Sequence, residues 1–398
     1  MTSSAPPATA RRASLGSLVR YFLYLGSLGF GGPVALAGFM HRDLVERDRR
    51  VSEDEYRLGL ALAQIMPGPL AAQLAIALGY FQHGVPGATA VGLAFVVPSF
   101  LMVVAISMAY VRFGGLWWMQ ALFYGIGAAV IAIIAIAAYR LSRSTNRRDP
   151  LLWAIFAVLA AVTIVAQAEL AESFVLAGLV VLFVRARPGG RGAVAAVAGG
   201  LAVVAIVWLV ERWFVGVGLG GEHVLLQILL FFTKAGAFVF GSGLAIVPFL
   251  QQGVVQQFGW LTDHQFLDAV AVAMITPGPV VITVVFIGFL VAGFPGAVAA
   301  AVGIFLPVYV FTVVPAPWFS RNRDSVQLKA FVQGATAAAT GALSGAVVVL
   351  AARAIYDVPT AGIALATLAS LWRYRLPEPV VVLAAGAAGL VIWLVRGA

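Results

Sequence analysis

The stretch GFGGPVALAGF, residues 29–39, interrupts what would otherwise be a continuous apolar helix. Gly29, Gly31, Gly32 and Pro33 disrupt helices, because glycine is conformationally permissive and proline lacks a backbone donor. Inside a membrane, a broken helix is tolerated only where the freed backbone groups find other partners. The stretch therefore predicts a break in a membrane helix whose freed backbone groups have partners outside that helix.

The composition places the chain in a lipid bilayer. Of its 398 residues, 62% are hydrophobic and 10% are charged, whereas soluble domains carry about 25% charged residues. Apolar blocks of about 20 residues recur from Leu15 to the C-terminus, long enough to cross about 30 Å of hydrocarbon as helices. We therefore predict an all-α polytopic membrane protein whose partner is the lipid bilayer.

The same composition excludes several classes of function. The chain has no cysteine, and its four histidines stand far apart without the spacing of metal ligands. The sequence also shows no nucleotide-binding loop, no paired carboxylates and no serine–histidine arrangement. The net charge of +9 lies mostly in loop arginines, which anionic lipid and membrane insertion explain better than nucleic acid does. We therefore expect no enzyme, no metal or other cofactor, and no nucleic-acid partner.

The sequence contains an internal duplication. At an offset of 210 residues, GSLGFGGPVALAGFM (26–40) aligns with GAFVFGSGLAIVPFL (236–250), and the Pro-Gly-Pro of 67–69 aligns with that of 277–279. One deletion then changes the offset to 209, so that the first-half GVPGA aligns with the second-half GFPGA. Two rare helix-breaking motifs at one constant offset indicate a tandem repeat rather than chance similarity.

The duplication divides the chain into parts. Residues 1–14 are rich in Ser, Ala, Pro and Thr and lack the apolar core of a signal peptide, so we expect a disordered cytoplasmic tail. Residues 15–187 form the predicted N-terminal repeat, and residues 221–398 form the C-terminal repeat. A linking transmembrane helix is expected at 188–220.

Each repeat has two broken segments, and their shape decides the topology. The halves of each segment are too short to span, so each segment is either a re-entrant hairpin or a kinked spanning helix. If the broken segments are hairpins and nine other segments cross the membrane, most lysines and arginines lie on the cytoplasmic side, as the positive-inside tendency requires. If the first broken segment spans the membrane instead, the four arginines of 41–50 lie outside. Five crossings then separate the two pairs of hairpins. With the N-terminus on the cytoplasmic side, this odd number predicts that the two repeats are inverted relative to each other. Transporters built from inverted repeats bind their substrate at the midplane, where the broken helices of both halves meet.

The breaks are candidates for binding an anion. A helix N-terminus carries unpaired amides and about half a positive charge, and a bound anion satisfies both. Hinges or close packing by small residues are the alternative. The candidate binding residues at the four breaks are Gly31, Gly32, Pro33, Gly68, Pro69, Gly241, Ser242, Gly243, Thr276, Gly278 and Pro279.

Two ionisable residues in the broken segments are further candidates. Lys234, one of only two lysines, either adds a full charge to an anion site or extends to the outer interface. Tyr24 occupies the equivalent position in the first repeat. Asp268 either carries a coupling proton or lies in solvent near the mouth of its hairpin, and we expect the solvated position.

The order of these motifs resembles the long, two-domain form of the chromate ion transporter (CHR) family. F-G-G-P is followed by Pro-Gly-Pro, and about 210 residues later F-G-S-G is again followed by Pro-Gly-Pro. The family's threonine-lysine before the first motif is Leu23-Tyr24 here, and the pair is kept as Thr233-Lys234 in the second repeat. The resemblance covers nearly all of the chain after its N-terminal tail.

The resemblance implies a secondary active transporter that exports chromate, or a related tetrahedral dianion such as sulfate, across the bacterial cytoplasmic (inner) membrane. An oxyanion channel, with the same helix ends lining a pore, is the alternative. A single chain and a homodimer are both compatible with the sequence.

Overall fold

The computed structural model describes residues 13–166, 171–187, 223–239, 243–322, 325–374 and 376–396, with short stretches between 189 and 209. Most of the predicted tail and of the linking helix therefore lies outside the described residues. Within them the secondary structure is helical, and no strand occurs.

The helices form two similar series. Those of the first half are α1 (Leu15–Leu28), α2 (Gly32–Met40), α3 (Glu53–Ile65), α4 (Leu70–Phe113), α5 (Trp117–Asn146), α6 (Pro150–Ala166) and α7 (Ala171–Ala186). Those of the second half are α8 (Val224–Ala237), α9 (Val247–Gln251), α10 (Asp263–Ile275), α11 (Thr283–Val313), α12 (Ala316–Asn322), α13 (Val326–Ala354), α14 (Val358–Arg373) and α15 (Glu378–Arg396). Tighter or wider helical turns flank α2, α9 and α11, at His41–Arg47, Gly243–Ile246, Gln252–Gln257 and Val280–Ile282.

The two halves repeat the same local backbone at the offsets found in the sequence. Helices α4 and α11 each contain a kink, at Gly84 with φ 61° and ψ −150° and at Gly293 with φ 61° and ψ −152°. Helices α3 and α10 both begin with a capping box, headed by Ser52 and Thr262.

The breaks have local causes. Gly31, Gly68 and Gly278 adopt φ values of 112°, 144° and 100°, which residues with a Cβ rarely take. Pro33 stands in the first turn of α2, where its missing N–H removes no helical hydrogen bond. The residues that end one half-helix therefore also allow the next to begin in a new direction.

The first two broken segments return towards the side from which they start. Arg50, beyond the end of α2, donates a hydrogen bond of 3.5 Å to the carbonyl of Ser17 in the first turn of α1. Gln82, just before the kink of α4, donates to Glu55 in the first turn of α3 at 3.0 Å. These contacts join the two ends of each segment, as expected for re-entrant hairpins rather than kinked spanning helices.

Five described segments are long and apolar enough to cross a membrane: α4, α5, the run 280–319 through α11, α13 and α15. Helices α6, α7 and α14 have 17, 16 and 16 residues, somewhat fewer than the ~20 of a typical crossing. With the hydrophobic composition, this architecture is that of a polytopic all-α membrane protein. The count of nine crossings and the inverted orientation stay predictions.

Candidate functional site

A reciprocal pair of hydrogen bonds joins the breaks of the two halves. The N–H of Gly68 donates to the carbonyl of Val239 at 2.6 Å, and the N–H of Gly278 donates to the carbonyl of Gly29 at 3.1 Å. The offset of 210 residues converts the first bond into the second. Reciprocal contacts of this kind are what a two-fold relation between the halves produces. Each Pro-Gly-Pro motif is therefore tied to the glycine-rich break of the other half.

These bonds bear on five of the predicted binding residues. The amides of Gly68 and Gly278 are satisfied by backbone carbonyls, and Pro69 and Pro279 have no N–H to offer. Thr276 donates its hydroxyl to a carbonyl of its own helix at 2.9 Å. In this conformation the five positions hold the breaks together and present no free donor to a ligand.

A cavity of about 720 Å³, here called the first cavity, opens beside the first break. The predicted binding residues Gly31, Gly32 and Pro33 line it. The second half contributes Leu244 and Val280, which directly follow its two break motifs. The first cavity therefore brings together three of the four breaks that the sequence singled out.

The charged wall of the first cavity comes from α5 and the start of α15. Arg140 and Arg143 lie near the C-terminal end of α5, and Glu378 begins α15. Arg140 donates to the Leu371 carbonyl at 3.3 Å, and Arg143 donates to the Tyr139 hydroxyl at 2.9 Å. Two guanidinium groups thus line the same cavity as the N-terminus of α2, and both features favour negative charge.

Neither arginine was among the residues predicted for the site. Both belong to the arginines that the charge distribution places on the cytoplasmic side. Their spacing of three residues at the end of an apolar helix places both on one helix face, and that was the available signal. Their proximity to Gly31, more than 100 positions earlier, is a tertiary fact that no local pattern contains.

Lys234 lies on α8 and is absent from the described lining of the first cavity. Its side chain is half-buried, and its Nζ lies 5.5 Å from the centroid of the Phe249 ring. That distance is typical of a cation–π contact. Tyr24, the first-half equivalent, is 61% exposed. The two residues therefore have different surroundings despite matching positions.

The first break of the second half is described only in part, because Gly241 and Ser242 lie outside the described residues. Gly243 is buried, and a Cβ added there would lie 3.5 Å from the side chains of Val280 and Val281. Gly243 thereby packs this break closely against the second Pro-Gly-Pro motif.

A cavity of about 350 Å³, here called the second cavity, contains Asp268. Tyr110, Tyr124 and His264 also line it. The carboxylate of Asp268 accepts a hydrogen bond from the Tyr110 hydroxyl at 2.7 Å, and the residue is 8% exposed. The solvated position expected for Asp268 is therefore wrong, because the side chain lies under α4 and α5 rather than at the hairpin mouth.

The two cavities lie at opposite ends of shared helices. Along α5, lining residues within 120–128 face the second cavity and those within 133–143 face the first. Along α15, Glu378 lines the first cavity and Trp393 lines the second. Residues 129–132 are buried between them, a separation of about 7.5 Å of helix.

These features define a class of protein. A polytopic all-α chain, with similar halves that meet at broken helices between two separate cavities, is a membrane transport protein.

Comparison with known proteins identifies the family. The sequence model of the chromate transporter family matches residues 16–216 and 226–390. The chain is 55% identical to the chromate transport protein of Cupriavidus metallidurans over 407 residues, 99% of each chain. It is also 55% identical to the probable chromate transport protein of Synechococcus elongatus over 385 residues, 96% of each chain. The chain belongs to the chromate transporter family.

A more distant relative shows the same full-length match. The chromate transport protein of Pseudomonas aeruginosa is 32% identical over 404 residues, which cover 99% of this chain and 94% of the relative. No solved structure matches the chain. The comparisons confirm the resemblance predicted from the paired motifs, and with it a transporter rather than an enzyme.

Proposed function

We propose that the chain exports chromate, or a related tetrahedral dianion such as sulfate, across a bacterial cytoplasmic membrane by secondary active transport. The observation that carries the proposal is the first cavity, which Arg140, Arg143 and the break at 31–33 line together. The names of the relatives supply the substrate, since those proteins are chromate transport proteins.

The first cavity suits an oxyanion for two physical reasons. Guanidinium groups present several N–H donors in a planar fork that matches oxyanion geometry. The first amides of α2 have no partner within the helix, and its N-cap, Gly31, provides no side-chain hydrogen bond. Without side chains at Gly31 and Gly32, an anion can approach this backbone directly.

The remaining predicted residues have supporting roles in this proposal. We propose that these residues shape the helix breaks that hold the anion. They do so both in the conformation described and in the conformation that opens to the other side of the membrane. They are Gly68, Pro69, Lys234, Gly241, Ser242, Gly243, Thr276, Gly278 and Pro279.

We place the first cavity on the cytoplasmic side, together with the N-terminus. Its end of α5 and α14 carries Arg140, Arg143, Arg147, Arg148 and Arg373, in agreement with the excess of positive charge on that side of membranes. At the opposite end, Arg353 and Arg396 pair with carboxylates at 2.8 and 3.0 Å.

The reciprocal bonds at Gly68 and Gly278 support a pseudo-two-fold axis. With five predicted crossings between the two pairs of hairpins, an odd number, that axis lies in the membrane plane and the repeats at 15–187 and 221–398 are inverted. A homodimer remains an alternative assembly to the single chain.

The driving force for export is electrical in the simplest case. The membrane potential favours the exit of a dianion from a negative interior by about 4.6 kcal/mol per 100 mV, because each charge contributes about 2.3 kcal/mol. The buried segment 129–132 between the two cavities supports alternating access over an open channel, which requires one continuous pathway.

Uptake of labelled chromate by the purified protein in liposomes tests the proposal. We expect saturable flux that an imposed potential drives and that sulfate competes with more strongly than phosphate. A voltage-dependent current far above any turnover-limited flux would instead show a channel.

A matched pair of variants tests the site. Arg140→Gln should lower chromate flux about ten-fold, because a hydrogen bond to a charged group contributes about 1.5–3 kcal/mol. Arg47→Gln removes the same charge from a side chain that is 80% exposed and should leave flux unchanged. Equal flux in both variants would remove Arg140 from the anion pathway.

A further inference from the structure

The second cavity holds a polar pair that the matching interface lacks. Tyr110 of α4 donates to Asp268 of α10, which joins the first half to the second. The repeat offsets of 209 and 210 convert these positions into Phe319 and Leu58, and both belong to one apolar cluster. The fold therefore accepts an apolar pair at this kind of interface, and packing alone does not explain the polar one.

Asp268 is buried without a cation. Within the described part of the chain, Tyr110 is its one hydrogen-bond partner, and it forms no ion pair. The Tyr110 ring is held between Phe123 and Phe286, with centroids 5.3 and 5.0 Å away. An unpaired carboxylate in such a place is strongly disfavoured while it is charged, and binding a proton removes that penalty.

The other carboxylates near the second cavity are already paired. Asp263 pairs with Arg353 at 2.8 Å, and Asp357 pairs with Arg396 at 3.0 Å. Burial alone would raise the pKa of Asp357, but hydrogen bonds from Tyr124 and Arg396 hold it below its usual range. Asp357 therefore stays charged at neutral pH, and each of the two carboxylates has an arginine as its ion-pair partner.

The remaining groups around Asp268 leave it as the natural proton carrier. Tyr124 faces the cavity from α5, Tyr356 from the turn after α13, and His264 from the exposed start of α10. Helix α11 contributes the ring of Phe286, and α15 contributes Trp393 and the paired Arg396. Among the described lining residues, Asp268 is the one buried carboxylate.

We propose that Asp268 is a proton site that couples chromate export to inward proton movement. The proposal rests on the proposed function, because it assigns the second cavity to the outer side. The Asp268 carboxylate takes one proton from the outer solution, carries it through the change of access, and releases it to the cytoplasmic solution. Only an O–H bond forms and breaks, and one proton moves inward for each anion that leaves.

The position of Asp268 connects it to the breaks. Asp268 precedes Thr276 by eight residues on the same helical arm, about 12 Å along α10. The motif that follows includes Gly278, whose N–H is bonded to the carbonyl of Gly29 beside the first break. A displacement of α10 on protonation therefore moves Gly278 and, through its hydrogen bond, Gly29 beside the first break.

The test uses liposomes that contain the full-length protein, chromate and a pH-sensitive dye, with the membrane potential clamped. Chromate counterflow at equal pH on both sides measures anion exchange without net proton movement. Chromate release down its gradient, followed by the dye, measures the protons exchanged for it. We expect the lumen to acidify as chromate leaves.

The matched variant copies the pair found in the other half. Asp268→Leu combined with Tyr110→Phe should keep counterflow within about three-fold of the natural protein and lower proton movement per chromate at least about ten-fold, because the titratable group is gone. Tyr110→Phe alone keeps the carboxyl and should keep proton movement but shift its pH profile. A merely structural role for the hydroxyl would not shift that profile.

The outcomes separate the two proposals. Unchanged proton movement in the double variant, or chromate release without protons by the natural protein, would overturn the proton site and leave chromate transport standing. No chromate movement by the natural protein would overturn both. If the double variant exchanges no chromate, Asp268→Asn is measured in the same way. Loss of exchange there too would assign Asp268 to anion handling and overturn its role as proton site.

Discussion

Gly84 in the first half and Gly293 in the second adopt almost the same backbone conformation, with φ 61° in both. Leu58 and Asp268, which match each other at the repeat offset, could hardly differ more in their side chains. The comparison shows that the duplication preserved the Pro-Gly-Pro motifs and the glycines of the two kinks, because these bends of the backbone depend on them. The side chains that carry charge were free to diverge on that frame.

The arginines of the first cavity show the same divergence. Arg140 and Arg143 match Val349 and Ala352 in the second half. The arginines of the first cavity therefore come from the first half, and the carboxylate of the second cavity comes from the second half, while Glu378 of the second half also lines the first cavity. A two-fold frame with unequal side chains gives a transporter two chemically different faces.

The largest expected difference between the halves is their exposure to the two sides of the membrane. Arg49, with φ 49°, and Gly259, with φ 60°, occupy matching positions and are both exposed. Because the chain has no cysteine, Arg49→Cys and Gly259→Cys are clean probes. We expect an impermeant thiol reagent to label only Gly259→Cys in intact cells. Labelling of both sites, or of Arg49→Cys alone, would contradict the proposed inverted arrangement.

The next largest effect concerns the glycines that tie the halves together. A Cβ at Gly278 would overlap Ser99 Oγ, and a Cβ at Gly68 would overlap the Gln73 side chain, both at positive φ. Gly278→Ala and Gly68→Ala should each destabilise the fold by roughly 2–4 kcal/mol, from backbone strain and overpacking. Thermal unfolding in detergent measures this, and a clear difference between the two variants would show that the reciprocal bonds are not equivalent.

A smaller effect on stability is expected at the break that faces the first cavity. Gly32 has φ 74°, but a Cβ there would meet nothing within 4 Å, so Gly32→Ala should lose only about 1–2 kcal/mol of stability. Chromate flux should fall more than stability does, because Gly32 lines the cavity. Gly16→Ala, in the first turn of α1 and equally uncrowded, is the control and should transport normally.

The smallest effect should be shared by both halves. Ser52→Ala and Thr262→Ala each remove the side-chain cap of a hairpin arm, at a cost of about 1 kcal/mol. The first loss should be slightly greater, since Glu55 of that capping box also accepts a hydrogen bond from Gln82. A markedly larger loss at Thr262 would mean that the second hairpin is the less stable one.

Much of the fold was readable because its causes are local. The breaks at Gly31 and Gly278, the kinks near Pro86 and Pro295, and the caps of α3 and α10 all follow from residues within one or two turns. The duplication extended that reading, because a match at constant offset requires no knowledge of packing. The family followed from the same paired motifs.

The candidate site was readable only in part. Gly31, Gly32 and Pro33 were predicted and line the first cavity, because the residues that break a helix also define its new N-terminus. Lys234 was predicted for the same site from its rarity, yet the structure places its ammonium over the ring of Phe249. Charge in an apolar segment signals a constraint without saying where the side chain points.

The amino-acid sequence by itself determined that this chain is a duplicated helical membrane protein with four broken segments, because hydropathy, helix propensity and repetition are properties of the chain alone. Only the tertiary structure decided which breaks share a cavity, that Arg140 joins them, and that Asp268 is buried against Tyr110. The pairings of Arg140 with Gly31 and of Asp268 with Tyr110 link residues more than 100 positions apart. Their energies arise from burial and contact, which exist only after the helices have packed.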